Sequence, residues 1–151
     1  LDAGTVDYDQ VAAETIAILP NHLKETARDF YDNWFQYVNP LSDTWDFIHE
    51  LKAAGYSIYL LSNASTRFAE VAKQYYSILN VFDGIVFSAP LKLAKPDPAI
   101  YRYLFDTYQL KPEECFFLDD LAENIAAGQA LGMNGLVFTG DIQTVKDAIG
   151  F

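Results

Sequence analysis

The stretch FFLDD, residues 116–120, runs three apolar residues straight into the adjacent aspartates Asp119 and Asp120. Neighbouring carboxylates repel each other and resist burial unless positive charge sits between them. A pair of carboxylates closing an apolar run suits a hard divalent cation such as Mg²⁺, which takes a few oxygen ligands and completes its shell with water. Two other apolar runs end in polar groups of complementary chemistry. YSIYLL (56–61) leads into Ser62-Asn63, and GIVFS (84–88) leads into a loop carrying Lys92 and Lys95. A hydroxyl, an ammonium and two carboxylates together suit a phosphate bound with a divalent cation. The hydroxyl and free backbone N–H groups cradle the oxygens, the lysine offsets their charge, and the carboxylates hold the metal.

Each group has a plainer role available. Ser62-Asn63 could form an ordinary turn or helix N-cap, Lys95 could be solvated, and Asp97 could cap a helix beginning at Pro98. Asp120 could satisfy N–H groups at a helix start and favour its dipole. A cap needs one carboxylate, however, and here there are two. The groups also follow one another in order, each at the end of a strand-like run.

The elements that must position them alternate from Tyr56 onward. YSIYLL, GIVFS, CFFLD and GLVFT read as strands, separated by the helical patterns TRFAEVAKQYYSIL, DPAIYRYLFDTYQL and AENIAAGQALG, with IQTVKDAI closing the chain. Short β-rich runs between helices predict βαβ units and a parallel sheet covered on both faces. In such a sheet ligands bind beyond the carboxyl ends of the strands, where these polar residues fall. Gly55 and Gly132 sit where helices end before two of the strands. SDTWDFIHELKAAG predicts a capped amphipathic helix with Trp45, Ile48 and Leu51 on one face. Residues 1–38 differ: DYDQVAAETIAIL and NHLKETARDFYDNWFQYV both read as helices, parted by Pro20, with no strand between them. The turn VNPLSD marks the boundary, giving a helical segment over 1–38 and an α/β unit over 39–151.

Composition removes several classes of function. Among 151 residues, 10 Lys+Arg against 21 Asp+Glu give a net charge of −11, and no basic stripe is present to track phosphates, so nucleic acid and anionic membranes are excluded as partners. Cys115 is the only cysteine, which rules out an intramolecular disulfide and a thiolate metal cluster. No apolar run approaches the ~20 residues of a membrane span. LDAGTVDYDQ lacks the basic start and apolar stretch of a signal peptide, so the expected location is cytoplasmic. Oligomeric state is not encoded in any pattern we recognise.

The series Ser62 in LLSNAS, Lys95 in KLAKPDPAIY and Asp119-Asp120 in FFLDDLAENI resembles the haloacid dehalogenase (HAD) superfamily of aspartate-nucleophile phosphatases. The resemblance covers roughly 40–151, and residues 1–38 look like the latter part of the family's helical cap. Receiver domains of response regulators use similar residues, but with the acidic pair first. The resemblance implies a Rossmann-like α/β fold in which Ser62 Oγ and the Asn63 N–H meet the phosphoryl oxygens. Lys95 would stabilise charge on the nucleophile and the transferring group, and Asp120, with Asp119 beside or behind it, would ligate Mg²⁺. Asn124 falls where relatives carry a residue supporting the acidic loop; a helix-surface position is its equal alternative. The small-capped branch implies a small phosphorylated metabolite as substrate, with a sugar phosphate such as hexose 1-phosphate the specific candidate. Two alternatives differ in class. A metal-free 2-haloacid dehalogenase matches at Ser and Lys but has no need of the acidic pair, and a non-catalytic phosphate- or partner-binding protein has no need to hold all three motifs.

The family's first motif, a DxD whose leading Asp is the nucleophile and whose second Asp is the general acid and base, has no counterpart here. Asp7 and Asp9 in DYDQV have the spacing, but no apolar strand precedes them and a helical pattern follows. In the family that strand lies between those ending in Ser62 and Asp119, so two inner strand edges are expected to be left open. The expectation is a C-terminal portion of a longer phosphatase. Phe30, Tyr31, Trp34, Phe35 and Tyr37 crowd the second helix, mainly for packing, with one or two turned toward substrate. His22 is expected at the surface.

Overall fold

A computed structural model describes residues 1–151. Four short strands form: β1 (Tyr59–Ser62), β2 (Gly84–Phe87), β3 (Phe116–Asp119) and β4 (Asn134–Val137). All pairing is parallel, but the strands make two separate pairs, β1 with β2 and β3 with β4, where the sequence predicts one sheet. Leu61 faces Val86 in the first pair and Leu118 faces Leu136 in the second. No strand lies between β1 and β3. Phe116 and Leu118 of β3 consequently remain 37% and 36% exposed, although a covered parallel strand would bury them.

Helices close the faces that the interrupted sheet leaves. The chain supplies α1 (Tyr8–Ile18), α2 (Lys24–Asn33), α3 (Ser42–Ala53), α4 (Thr66–Tyr75), α5 (Ser88–Leu91), α6 (Pro98–Tyr108), α7 (Ala122–Ala130) and α8 (Ile142–Ile149). α6 is the central support. The Asp97 side chain caps it by accepting from Ala99 N–H at 2.8 Å, and Pro98 pre-sets its first turn. Ile100, Tyr101, Leu104 and Phe105, spaced to fall on one face, are buried together with Leu61 and Val86 from the first strand pair and Met133 before β4. Each such burial contributes about 1.5–3 kcal/mol, and here it ties both halves of the sheet to one helix. Elsewhere α3 and α8 meet. Lys146 pairs with Glu50, and its ammonium lies 5.3 Å from the Phe47 ring and 5.4 Å from that of Phe151.

Several boundaries differ from the sequence reading, each for a local reason. The pattern TRFAEVAKQYYSIL breaks after Tyr75, because Tyr76 leaves helical dihedrals and its hydroxyl donates to the Phe35 carbonyl. Ile78 and Leu79 are then buried in a 3₁₀ turn instead of a fourth helical turn. The second predicted helix is likewise shorter, with 3₁₀ turns at Asn21–Leu23 and Trp34–Tyr37 on either side of α2. No side chain caps α3: Ser42 is its first residue, and the Ser42 hydroxyl donates to Asp43. β1 starts at Tyr59, not Tyr56, because Tyr56 N–H still bonds the Leu51 carbonyl and Gly55, at φ +92°, closes α3 in the left-handed region.

Residues 8–37 form a helical layer joined by the Tyr8 hydroxyl donating to the Tyr31 carbonyl at 2.7 Å. It docks on α4 through aromatic contacts: Trp34 stacks on Phe68 at 5.7 Å between ring centres, and Phe35, 2% exposed, meets Tyr75 at 4.6 Å. No helix is long and apolar enough to cross a membrane.

Candidate functional site

Parallel pairing places the carboxyl ends of β1, β2 and β3 at Ser62, Phe87 and Asp119, and Lys95 reaches between the first and third of these. Its backbone is clamped by Asn63, whose amide donates to the Lys95 carbonyl at 2.9 Å and accepts the Lys95 N–H at 2.8 Å. That reciprocal pair aims the side chain into the gap between the strand pairs. There the ammonium donates to the Leu61 carbonyl of β1 at 2.8 Å and to Asp119 Oδ2 of β3 at 2.6 Å. Both partners are dry, with side chains 9% and 5% exposed. An ammonium has three donors, so one remains for a ligand.

Asp119 is fully engaged. Its Oδ1 accepts from Leu121 N–H at 2.9 Å and from the Asn124 amide at 2.8 Å, while Oδ2 takes Lys95. Burial pushes its carboxyl pKa up, but the hydrogen bonds from Lys95, Leu121 and Asn124 outweigh that effect and hold it below the ordinary value. The capping role that the sequence offered Asp120 is not filled: no side chain caps α7, and Asp119 instead holds the turn before it through the Leu121 N–H. Asp120 itself is exposed and makes no hydrogen bond or ion pair. Asn124 is buried, 3% exposed, which removes the helix-surface alternative; its Oδ1 is enclosed with no hydrogen-bond partner. The fully buried Tyr101 fixes the same turn, its hydroxyl donating to the Asn124 carbonyl at 2.8 Å. Desolvation in that position, followed by the nearby Asp119 charge, raises the Tyr101 pKa, so the phenol stays a donor.

Ser62 and Asn63 are half-buried, and the Ser62 hydroxyl has no protein partner. Both line a cavity of about 460 Å³ whose walls include Trp34, Phe68 and Phe87. Lys95, Asp119 and Asp120 lie outside that lining, so Ser62 and Asn63 form one lobe of the site and the lysine with the acidic pair another. Of the crowded aromatics, Phe35 packs inside, Tyr31 meets Tyr8 edge-on, Trp34 faces the cavity, and Phe30 and Tyr37 are exposed at 58% and 66%. Lys92 is exposed and ends α5 in the left-handed region, and His22 is at the surface. Asp7 caps α1 by accepting from Gln10 N–H, consistent with setting the DYDQV spacing aside.

Two residues near the site were not singled out from sequence. Ser88 is fully buried, accepts Ala64 N–H at 2.9 Å and so fixes the turn after Ser62. It closes the predicted run GIVFS, which was signal enough. Tyr101 follows KPDPAI in the helix pattern, where nothing separates it from ordinary core.

Two oxygens of this loop suit a hard cation by type: the Asp120 carboxylate is unengaged, and Oδ1 of Asn124, whose amide bonds Asp119, has no partner. No group of three or more His, Cys, Asp or Glu lies together, so these residues alone would leave much of a metal's shell to water or ligand.

A family model described as haloacid dehalogenase-like hydrolase matches residues 4–132. A sesquiterpene phosphatase of Aspergillus oryzae is 34% identical over 101 residues, covering 66% of this chain and 51% of that protein. An (S)-2-haloacid dehalogenase of Burkholderia cepacia is 26% identical over 132 residues, covering 85% of this chain and 57% of its own length. The chain thus spans about half the length of these curated relatives. Among solved structures, a HAD-family enzyme of Bacteroides thetaiotaomicron, in complex with magnesium and inorganic phosphate, shares the fold with a TM-score of 0.76. That likeness covers 95% of this chain and 76% of the other at 21% identity. With the family model spanning most of its length and the strand-end groups in the family's order, the chain belongs to the haloacid dehalogenase-like hydrolases.

Proposed function

We propose that these residues form part of a phosphomonoester hydrolase that works with Mg²⁺ on a small phosphorylated metabolite in the cytoplasm. The observation that carries this reading is the Lys95 ammonium held between the Leu61 carbonyl and Asp119, with one donor unspent and the unpaired Asp120 carboxylate next in sequence. Residues 1–38 act as a helical cap over the core at 39–151. Ser62 Oγ and the Asn63 N–H bind phosphoryl oxygens, and Lys95 offsets the charge that grows on them during transfer. Asp119 holds Lys95 in place and Asp120 holds the metal, with Asn124 supporting the loop that carries both. Bound Mg²⁺ would neutralise phosphoryl charge. The attacking carboxylate comes from outside residues 1–151: Asp119 is the aspartate bonded to Lys95, and both of its oxygens are already engaged. Phosphatases among the relatives support this chemistry.

The dehalogenase relatives favour a second reading, halide displacement without metal. It leaves Asp120 without a task. Phosphate release from p-nitrophenyl phosphate and chloride release from 2-chloropropionate, each with Mg²⁺ and with EDTA, separate the two in the full-length protein. The expected result is Mg²⁺-dependent phosphate release, abolished in Asp120→Ala and reduced by orders of magnitude in Lys95→Ala. EDTA-resistant chloride release would replace this reading with the second.

A further inference from the structure

The first four residues lie against the start of α5, next to the end of β2, and two contacts hold them there. The buried Ser88 hydroxyl donates to the Asp2 carbonyl at 2.5 Å. Gly4 presses on the Ala89 carbonyl so closely that a Cβ would lie 2.0 Å from the oxygen, and its φ of +64° also favours glycine. This anchoring brings Asp2 to the wall of the cavity that contains Ser62 and Asn63, where it is the only charged residue of the lining.

A carboxylate there repels a phosphate, so Asp2 does nothing for the phosphoryl group itself. What it can serve is a hydrogen-bond donor on the part of the substrate that leaves. The remaining wall is largely apolar, with the stacked Trp34 and Phe68 offering flat surface to a ring's C–H face. A hydroxylated ring satisfies both surfaces; an aryl or alkyl group satisfies only one and offers the carboxylate no donor. We propose that Asp2 is a specificity-determining residue that accepts a hydrogen bond from a hydroxyl of the leaving group and selects polyhydroxylated phosphoesters. The inference rests on the phosphatase reading above.

The test compares kcat/KM on hexose 1-phosphate with kcat/KM on p-nitrophenyl phosphate, whose leaving group carries no further hydroxyl, in the full-length protein. Because Asp2 is exposed, its removal should cost less than the loss of a fully buried polar partner; in Asp2→Ala the ratio of the two constants should fall about ten-fold, chiefly through KM for the sugar ester. Asp2→Asn, which keeps an acceptor oxygen, should recover part of it. A proportional loss on both substrates, or no change in the ratio, overturns the proposal, and if Asp2→Ala does not fold, the ratio in Asp2→Asn decides by the same criterion. Wild-type turnover of p-nitrophenyl phosphate without turnover of the sugar ester also overturns it while leaving the phosphatase reading standing. Turnover of neither removes both.

Discussion

Lys95 and Asp119 form a buried ion pair at 2.6 Å, and each alone would be an uncompensated charge in a dry site. Removing one partner of such a pair typically costs about 3–5 kcal/mol, whereas replacing both with apolar groups costs far less. Lys95→Ala is therefore expected to lower unfolding free energy by about that amount, and Lys95→Met with Asp119→Leu by clearly less than the two single changes added together. A double-mutant cycle by urea denaturation checks this; additive losses would show that the pair is not coupled. The strand-end residues Ser62, Asn63, Lys95, Asp119 and Asp120 could all be picked out in the sequence, because a polar group closing an apolar run is visible as a pattern. The dual use of Asn63 was not visible: its backbone was assigned to phosphate, while its side chain turns out to hold Lys95. Ser88 and Asp2, 86 positions apart, meet only through the fold.

At the scale of elements, the strands and most helices follow from alternation and from Gly and Pro punctuation, but their ends depend on distant contacts. Tyr76 is such a case, since the helix pattern continues through it while its hydroxyl is drawn to Phe35. Asp83 is another. Its carboxylate bonds the Lys52 ammonium with both oxygens at 2.8 Å and the Ile58 N–H at 2.7 Å, tying the end of α3 and the approach to β1 to the segment before β2. The Lys52 hydrogen bond first, then that of Ile58, lowers the Asp83 pKa below its ordinary value of 3.8. A depressed carboxylate pKa contributes stability that is present above the unfolded value and lost as pH falls through the folded one. Comparing Asp83→Asn with the parent by thermal melts, the gap in Tm should be steady at neutral pH and shrink below about pH 4. A gap that stays constant into acid would remove Asp83 as its source.

For the whole molecule, the interrupted sheet is the governing feature. The parallel fold and the helical layer were readable from periodicity, and an opening between the strands ending in Ser62 and Asp119 followed from the motif order. The means of bridging it were not readable, because α6 meets Leu61 and Val86 of one strand pair and Met133, just before β4 of the other, only through the fold. An open strand edge lacks the hydrogen bonds that protect backbone amides. Hydrogen exchange by mass spectrometry should show residues 116–119 gaining deuterium well before 100–105, a helical segment in which Ile100, Tyr101, Leu104 and Phe105 are buried. Equal protection of both segments would mean that the β3 edge is covered in solution.

The Lys95 ammonium also fastens β1 to β3, and this constrains how such a protein can change over generations. A lineage released from selection for chemistry could not discard the charge in one step, since that step would also loosen the architecture. Inactive descendants should keep Lys95 and Asp119 together or lose them together, while Asp120, bonded to nothing, is free to drift first. The order of decay would record which side chains served only the reaction and which also held the molecule together.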